Sequence, residues 1–400
     1  MITKQEYKNI SLNHLFSDDF EISFKKNKLH EICSYIAMYP AKLVHKLINK
    51  YTNKGDTVYD PFSGRGTTLL EARLLKRKAY ASDLNPLSFV LTKAKSHTLD
   101  KKQIIETIRK YEQMYRSYKT KINKKDFNYM KTYFSKNVYK QICFLKEILG
   151  KKWNVLDNTN TFILACLLGI LHGPTRKDGT SSYLSISMSN TNSMAKNYVD
   201  NYVKQHNLHF PKNENVFEKL QKKVERIFSN IDHFDHKDLL VGEVKNGDAL
   251  NCNKIFKNKK FDCIITSPPY LNIFNYTSEN WIRMWLLGYE KDNLKKEIKL
   301  DDHHGLADYK KFLINFMNCA FNVLKENGKL IMIIGNVEKK YNFFKDIWQE
   351  IKDRTKFKLI ERCLDYRANN KSTRKNGTKS GKATKVDNIC VFGKKIWKMI

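Results

Sequence analysis

Residues 57–83 read TVYDPFSGRGTTLLEARLLKRKAYASD, and the fold turns on how that stretch is taken. A β-rich run, TVYDPF, meets a turn carrying Gly64 and Gly66. A helix-like segment, TLLEARLLKRK, follows, and then a second apolar run, KAYASD, that closes on Asp83. Strand, glycine turn, helix and strand open a nucleotide-binding α/β unit, in which glycines let a ligand approach the backbone closely. Asp83 stands seventeen residues beyond Gly66, at the tip of the second strand. An acid there is placed to accept hydrogen bonds from both ribose hydroxyls of an adenosine. The turn has neither the G-x-x-x-x-G-K-[ST] pattern that cradles phosphates nor the G-x-G-x-x-G of dinucleotide sites. An adenosine-containing cofactor without phosphate is therefore expected, and S-adenosylmethionine fits.

A second segment, DCIITSPPYLN at 262–272, supplies the other half of a site. Its apolar run should form a strand, and Pro268 and Pro269 must stop it, because neither proline has a backbone N–H and both fix φ. The strand end then presents Ser267, the Pro268 carbonyl and the Tyr270 ring outside the carboxyl edge of the sheet, where open α/β sheets bind ligands.

DPFSGRGTT, Asp83 and TSPPY together resemble the amino-group DNA methyltransferases, which methylate the exocyclic nitrogen of cytosine or adenine. The resemblance covers about 60 residues around the first motif and most of residues 244–395. It implies that Asp60, Pro61, Phe62, Gly64, Gly66 and Thr67 line the methionine half of S-adenosylmethionine, with Asp83 on the ribose. It also implies a third cofactor element at Gly247, Asp248 and Ala249, with Asp248 near the adenine. MYPAKLVHKLI resembles the helix preceding the first motif, placing Pro40 and Lys42 near the cofactor carboxylate.

The implied chemistry suits TSPPY. The lone pair of an exocyclic base amine is delocalised into the ring, so acceptors on its hydrogens must make the nitrogen more tetrahedral. Ser267 and the Pro268 carbonyl would take those hydrogens, Pro269 would fix the turn, and Tyr270 would stack on the base. A base inside a duplex cannot be reached, so it must be flipped out at a cost of a few kcal/mol. Stacking on Tyr270, worth roughly 1–3 kcal/mol, offsets part of that. LNIFNYTSENWIRMW adds Phe274, Tyr276, Trp281 and Trp285, more of them expected in the core than in the pocket. Ser267 at its position resembles the cytosine-N4 enzymes, whereas the adenine-N6 enzymes more often carry Asp or Asn there. No Pro-Cys pair exists for the covalent attack of C5-cytosine methylation.

The eight cysteines show no C-x-x-C spacing and read as buried thiols of a reducing, cytoplasmic protein. Asp301-Asp302-His303-His304 and Asp232-His233-Asp235-His236 lack ligand spacing, and no metal is expected. The longest apolar run, FILACLLGIL at 162–171, is too short to span a bilayer. A net charge of +32 points to a polyanionic partner, although only 12 of 73 basic residues are Arg, a bias that an A/T-rich genome would also produce.

The expected architecture is α/β, with seven strands at TVYDPF, AYASD, VKNGDAL, DCIITSPP, KLIMIIGN, FKLIERCLDY and NICVFGKK. They form a twisted, mostly parallel, Rossmann-like methyltransferase sheet with the last strand antiparallel. DYKKFLINFMNCAFNVL should be a helix with Phe312, Phe316, Cys319, Ala320 and Val323 on one face, ending at Asn327-Gly328. About 140 residues separate the second and third strands, where one helix ordinarily suffices. The division expected is 1–97 for the N-terminal helices and the first half of the core, 98–240 for a mainly helical insertion, and 241–400 for the second half with TSPPY. In the insertion, residues 101–140 hold 12 Lys or Arg against 3 Asp or Glu, with six tyrosines among them, a composition that suits phosphate tracking as well as a solvated face. With the Ser/Thr/Asn-rich stretch around Arg176 and Lys177, the insertion is the candidate target-recognition region. A second basic segment, 367–387, carries Arg367, Lys371, Arg374 and Lys375 and is expected to contact double-stranded DNA backbone. The leading reading is a sequence-specific cytosine-N4 DNA methyltransferase of a restriction-modification system, with a companion restriction endonuclease as possible partner. An adenine-N6 enzyme, an RNA methyltransferase and a catalytically silent DNA-binding subunit are the alternatives.

Overall fold

The structure is a computed structural model. It describes all residues except 1–9, 12–23, 36–38, 120, 212–214, 230–238, 270–278, 292, 299–304, 337–341, 367–385 and 396–400. Before the first core strand, Pro40 caps helix α1 (Ala41–Tyr51), whose Leu43, Val44, Leu47 and Ile48 recur at helical spacing and are all buried. Strand β1 (Thr57–Asp60) leads through the glycine turn to α2 (Thr67–Leu74), and β2 (Lys78–Asp83) leads to α3 (Pro86–Lys93). Asn85 starts α3 by accepting from the Leu87 N–H, with Pro86 in the first turn.

Six helices fill the long interval that follows: α4 (Lys101–Ser117), α5 (Lys124–Met130), α6 (Lys136–Ile148), α7 (Asn158–Ile170), α8 (Lys196–His206) and α9 (Val216–Phe228). Asp100, Asn123, Ser135, Asp157 and Asn215 cap five of them with side-chain oxygens. Strand β3 (Glu243–Asn246) and β4 (Phe261–Thr266) come next, then α10 (Trp281–Leu286), α11 (Leu306–Val323), β5 (Leu324–Gly335), β6 (Phe357–Tyr366) and β7 (Val386–Lys394).

The core strands lie in the order β3-β2-β1-β4-β5-β7-β6, all parallel except β7, which runs antiparallel to both neighbours. A two-residue strand, Ile10–Ser11, adds itself in parallel to β6 at the outer edge. Period-two alternation sorts the strand residues between two layers. Ile331, Ile333, Cys263 and Ile265 face α1, whereas Leu330, Met332, Ile334 and Ile264 face Phe312, Phe316 and Val323 of α11. The expected apolar face of α11 is thus the one that covers the sheet.

A third core lies beside these two. It joins the insertion helices to Leu87, Val90 and Leu91 of α3 and to Trp281, Ile282 and Met284 of α10. The insertion therefore shares its apolar interior with the core. Arg283 is the polar tie, fully buried, donating to the carbonyls of Leu168 at 3.2 Å and Asn190 at 2.7 Å and to the Asn280 side chain at 2.9 Å.

Two expectations are corrected. The helix over 306–323 ends at Val323, and not at Asn327-Gly328. Leu324 already pairs with Phe261, and a register shift accommodates residues 325–328 before Lys329 pairs with Cys263. Cys252 and Cys319 are joined as a disulfide where α11 packs on the short helix Cys252–Ile255, while Cys33, Cys143, Cys166, Cys263, Cys363 and Cys390 are free thiols as expected.

Candidate functional site

Strand order places the site. Between β1 and β4 the chain order reverses, leaving a crevice at the carboxyl ends of the two strands, and both motifs sit there. β1 and β4 are hydrogen-bonded neighbours, with Val58 opposite Cys263 and Tyr59 opposite Ile264. Thr266, the last residue of β4, donates its hydroxyl to Asp60 Oδ1 at 2.6 Å. The strand end that continues into Ser267, Pro268 and Pro269 is thereby clasped to the strand end that continues into the glycine turn. Ser267 and Pro269 are half-buried and Pro268 is buried.

Asp60 does more bracing than its motif suggests. It is fully buried, and besides Thr266 it accepts from the Tyr39 hydroxyl at 2.8 Å and the Phe62 N–H at 3.1 Å. Burial raises its carboxyl above the ordinary range, against those donors. With three donors on its carboxyl, Asp60 shapes the turn that is expected to line the cofactor. Phe62 likewise turns toward α11, packing edge-on against Phe316 at 5.0 Å. Pro61 joins these two residues, and Thr67 is buried at the start of α2.

Gly64 and Gly66 both have positive φ, +51° and +77°. The Gly64 N–H donates to Asp83 Oδ2 at 2.8 Å, which bends the turn back over the tip of β2. The other carboxyl oxygen of Asp83 accepts from the Asn85 N–H at 2.9 Å. Burial, the largest influence, pushes the Asp83 carboxyl up to about 7 despite these two donors. Asp83 carries no cationic partner in that balance, so ribose hydroxyls would add the donors that favour its charged form. The turn has no phosphate-gripping lysine, Gly64 leaves the backbone uncovered except by the Tyr35 ring, and the acid sits under the turn with its carboxyl bonded to the Gly64 N–H. This set fits S-adenosylmethionine.

A pH dependence follows. Hydroxyls donating to the carboxylate hold it ionised in the complex, so the bound-state value lies below that of the free protein. Affinity for S-adenosylmethionine should be flat above about pH 7 and fall as the pH drops below it, by up to about tenfold per unit. Isothermal titration from pH 5.5 to 8.5 checks this. Asp83→Asn should bind more weakly and lose the slope, and a wild-type affinity that does not change over that range contradicts the assignment.

The remaining sequence-derived positions divide. Gly247 donates its N–H to the Asp83 carbonyl at 3.0 Å, bringing the third element to the same tip. Asp248 itself caps the turn Ala249–Asn251 by accepting from the Leu250 N–H at 2.9 Å, so its observed role is the turn-forming one. Pro40 reaches the site through its neighbour Tyr39, while Lys42 is exposed on α1. Arg176 lies in an exposed turn, its N–H donating to the Thr180 carbonyl at 2.8 Å. Tyr270, Phe274, Tyr276, Arg367, Lys371, Arg374, Lys375 and both histidine-acid clusters lie outside the described residues, among which no cluster of metal-ligating side chains occurs. No helix among the described residues is long and apolar enough to cross a membrane.

Sequence reasoning missed the residues that support the turn. Tyr35 stacks its ring by Gly64 and shares a hydrogen bond with Ser88 at 2.8 Å, Asn85 reaches the same hydroxyl, and Thr68 meets Tyr39 at 2.6 Å. Only Tyr39 offered a signal, as the residue preceding the helix-capping Pro40.

Strand order and crevice define a Rossmann-like architecture of the methyltransferase type. A family model described as DNA methylase, covering N6 and N4 enzymes, matches residues 3–94. Type II methyltransferase M.BsoBI of Geobacillus stearothermophilus is 28% identical over 292 residues, 69% of this chain and 56% of that protein, so the match spans little more than half of that relative. M.MvaI of Kocuria varians is 21% identical over 84% of this chain and 76% of its own length, and M.BamHI of Bacillus amyloliquefaciens is 31% identical over 25% of this chain and 22% of its own. In these matches the chain is similar to amino-group DNA methyltransferases.

Proposed function

We propose that the protein transfers a methyl group from S-adenosylmethionine to the exocyclic N4 of a cytosine flipped out of double-stranded DNA, as the modification enzyme of a restriction-modification system. The observation that carries this reading is the Thr266–Asp60 hydrogen bond, which sets the Ser267-Pro268 tip beside the glycine turn. Bound S-adenosylmethionine supplies an electrophilic methyl on a sulfonium that leaves as a neutral thioether. The protein orients and desolvates. Ser267 and the Pro268 carbonyl accept the two hydrogens of the target amine, draw its lone pair out of conjugation and take up the positive charge that develops as the N–C bond forms. After transfer one of those protons passes to solvent, leaving the neutral methylated amine. The aligned geometry can supply roughly 7–11 kcal/mol, and no covalent enzyme adduct is required.

The Type II names of the relatives support DNA as the substrate and a companion endonuclease as the partner. Residues 98–240 and the basic segment around Arg367 and Arg374 are proposed to contact the DNA. Ser267 in place of an acid or amide favours cytosine over adenine.

Ser267→Ala tests the assignment. A hydrogen bond to a group gaining charge is worth about 1.5–3 kcal/mol, so single-turnover transfer at saturating cofactor should slow roughly 10- to 150-fold. S-adenosylmethionine affinity should stay within twofold. Unchanged transfer by Ser267→Ala refutes the role given to this residue.

A further inference from the structure

On the insertion side of the molecule, away from the glycine turn along the chain, lies a cavity of about 1150 Å³. Its walls come from the arm that joins α4 to α5, from α5 itself, from one side of α6, and from the segment 281–291 that follows the TSPPY tip. Six lysines line it, Lys119, Lys121, Lys125, Lys146, Lys151 and Lys291, against three acids, Asp126, Glu147 and Glu290. Two of the acids are engaged within the wall. Asp126 accepts from Trp285 Nε1 at 3.0 Å, and Glu147 pairs with Lys151 at 2.7 Å. Lys119, Lys121 and Lys125 make no ion pair among the described residues.

The same walls carry aromatic rings. Lys146 stands 4.2 Å over the Trp285 ring, and Lys291 stands 4.7 Å over Tyr129 and 5.2 Å over Trp281. These rings are already faced by cations. Tyr118 differs, being 43% exposed beside Lys119 with its ring tilted against Phe144, centroids 5.0 Å apart. An exposed, propped ring among unpaired lysines, at the mouth of a cavity large enough for more than one nucleobase, combines a stacking face with sites for phosphate.

We propose that this groove holds an unpaired stretch of nucleic acid, with a base stacked on Tyr118 and the adjoining phosphates on Lys119, Lys121 and Lys125. The proposal rests on the nucleic-acid reading above and deepens it: the strand opened beside the target base would run from the TSPPY tip onto the insertion. Charge alone would suit an acidic peptide too, but the ring chemistry favours bases.

Fluorescence anisotropy with a labelled dodecathymidylate, as a function of salt, decides it. Tyr118→Ala should weaken binding about 5- to 150-fold. The triple variant Lys119→Ala, Lys121→Ala, Lys125→Ala should lower the slope of log affinity against log salt by about 2, as expected for three phosphates of a single strand. All four side chains are exposed and lie outside the cofactor site, so melting temperature and S-adenosylmethionine affinity should match the wild type. The proposal is overturned if both variants bind the oligonucleotide like the wild type, or if polyglutamate of equal charge competes as well as unlabelled oligonucleotide. Failure of the wild type to methylate DNA would sink the proposed activity without touching these binding results, and active wild type with groove-independent binding would sink the groove alone.

Discussion

Gly66→Ala should abolish detectable cofactor binding and lower stability, by roughly 2–5 kcal/mol in all. Two effects add. Gly66 sits at φ +77°, a conformation that costs an L-residue about 1–2 kcal/mol. A Cβ there would stand 2.9 Å from Thr92 Cα, a backbone atom of α3 that can retreat only by moving the helix. That helix begins immediately after Asp83 and Asn85, so the displacement passes directly to Asp83, the acid proposed to hold the ribose. Gly64→Ala is the internal control. Its φ of +51° carries a similar conformational cost, but its Cβ would meet only the Tyr35 ring at 3.6 Å, an ordinary contact. Thermal melts and titration with S-adenosylmethionine should show the Gly66 variant clearly worse than the Gly64 variant. Equal effects would mean that the turn does not pack on α3 as described.

Arg283→Met should destabilise the protein by about 3–5 kcal/mol, the largest single effect expected outside the glycine turn. The side chain is fully buried and its hydrogen bonds run to backbone carbonyls and one amide, so removal strands acceptors on α7 and on the Ser/Thr/Asn-rich segment at once. Methionine fills much of the volume, which isolates the polar loss from a cavity. Urea denaturation should show the lowered midpoint. Since α10 follows TSPPY and the lost partners belong to the insertion, proteolysis should also reach residues 98–240 sooner. A midpoint within about 0.5 kcal/mol of the wild type would show that the insertion is held by apolar packing alone.

The sequence made much of this architecture legible, for a physical reason. The ends of β4 and β5, residues 263–266 and 330–334, are buried on both faces and read as apolar runs, and the glycine turn and double proline mark where the chain must leave the sheet. The interval between Asp83 and Glu243 announced an insertion by length alone. Other features depend on partners distant in the chain. Asp60 looked like a ligand because its motif is a ligand motif, and only the pairing of β1 with β4 reveals Thr266 as its neighbour. Asp248 also caps the short turn that follows it, accepting from the Leu250 N–H. The end of α11 was misplaced because Asn-Gly is a strong stop signal, yet Leu324 is claimed earlier by Phe261. Cys252 and Cys319 are separated by 67 residues, and no spacing rule joins them. The mix of lysine and tyrosine in 101–140 was visible, but its assembly with Trp281 and Trp285 into one groove required the fold.

The central claim is that the TSPPY tip and the glycine turn form a single site for methyl transfer to a base amine. Incubating the protein with DNA or with RNA and isotopically labelled S-adenosylmethionine, followed by digestion to nucleosides and mass spectrometry, tests it most directly. The expected product is labelled N4-methylcytosine. N6-methyladenine would retain the site and change the base, whereas label in RNA alone, or in no nucleoside, would contradict the account.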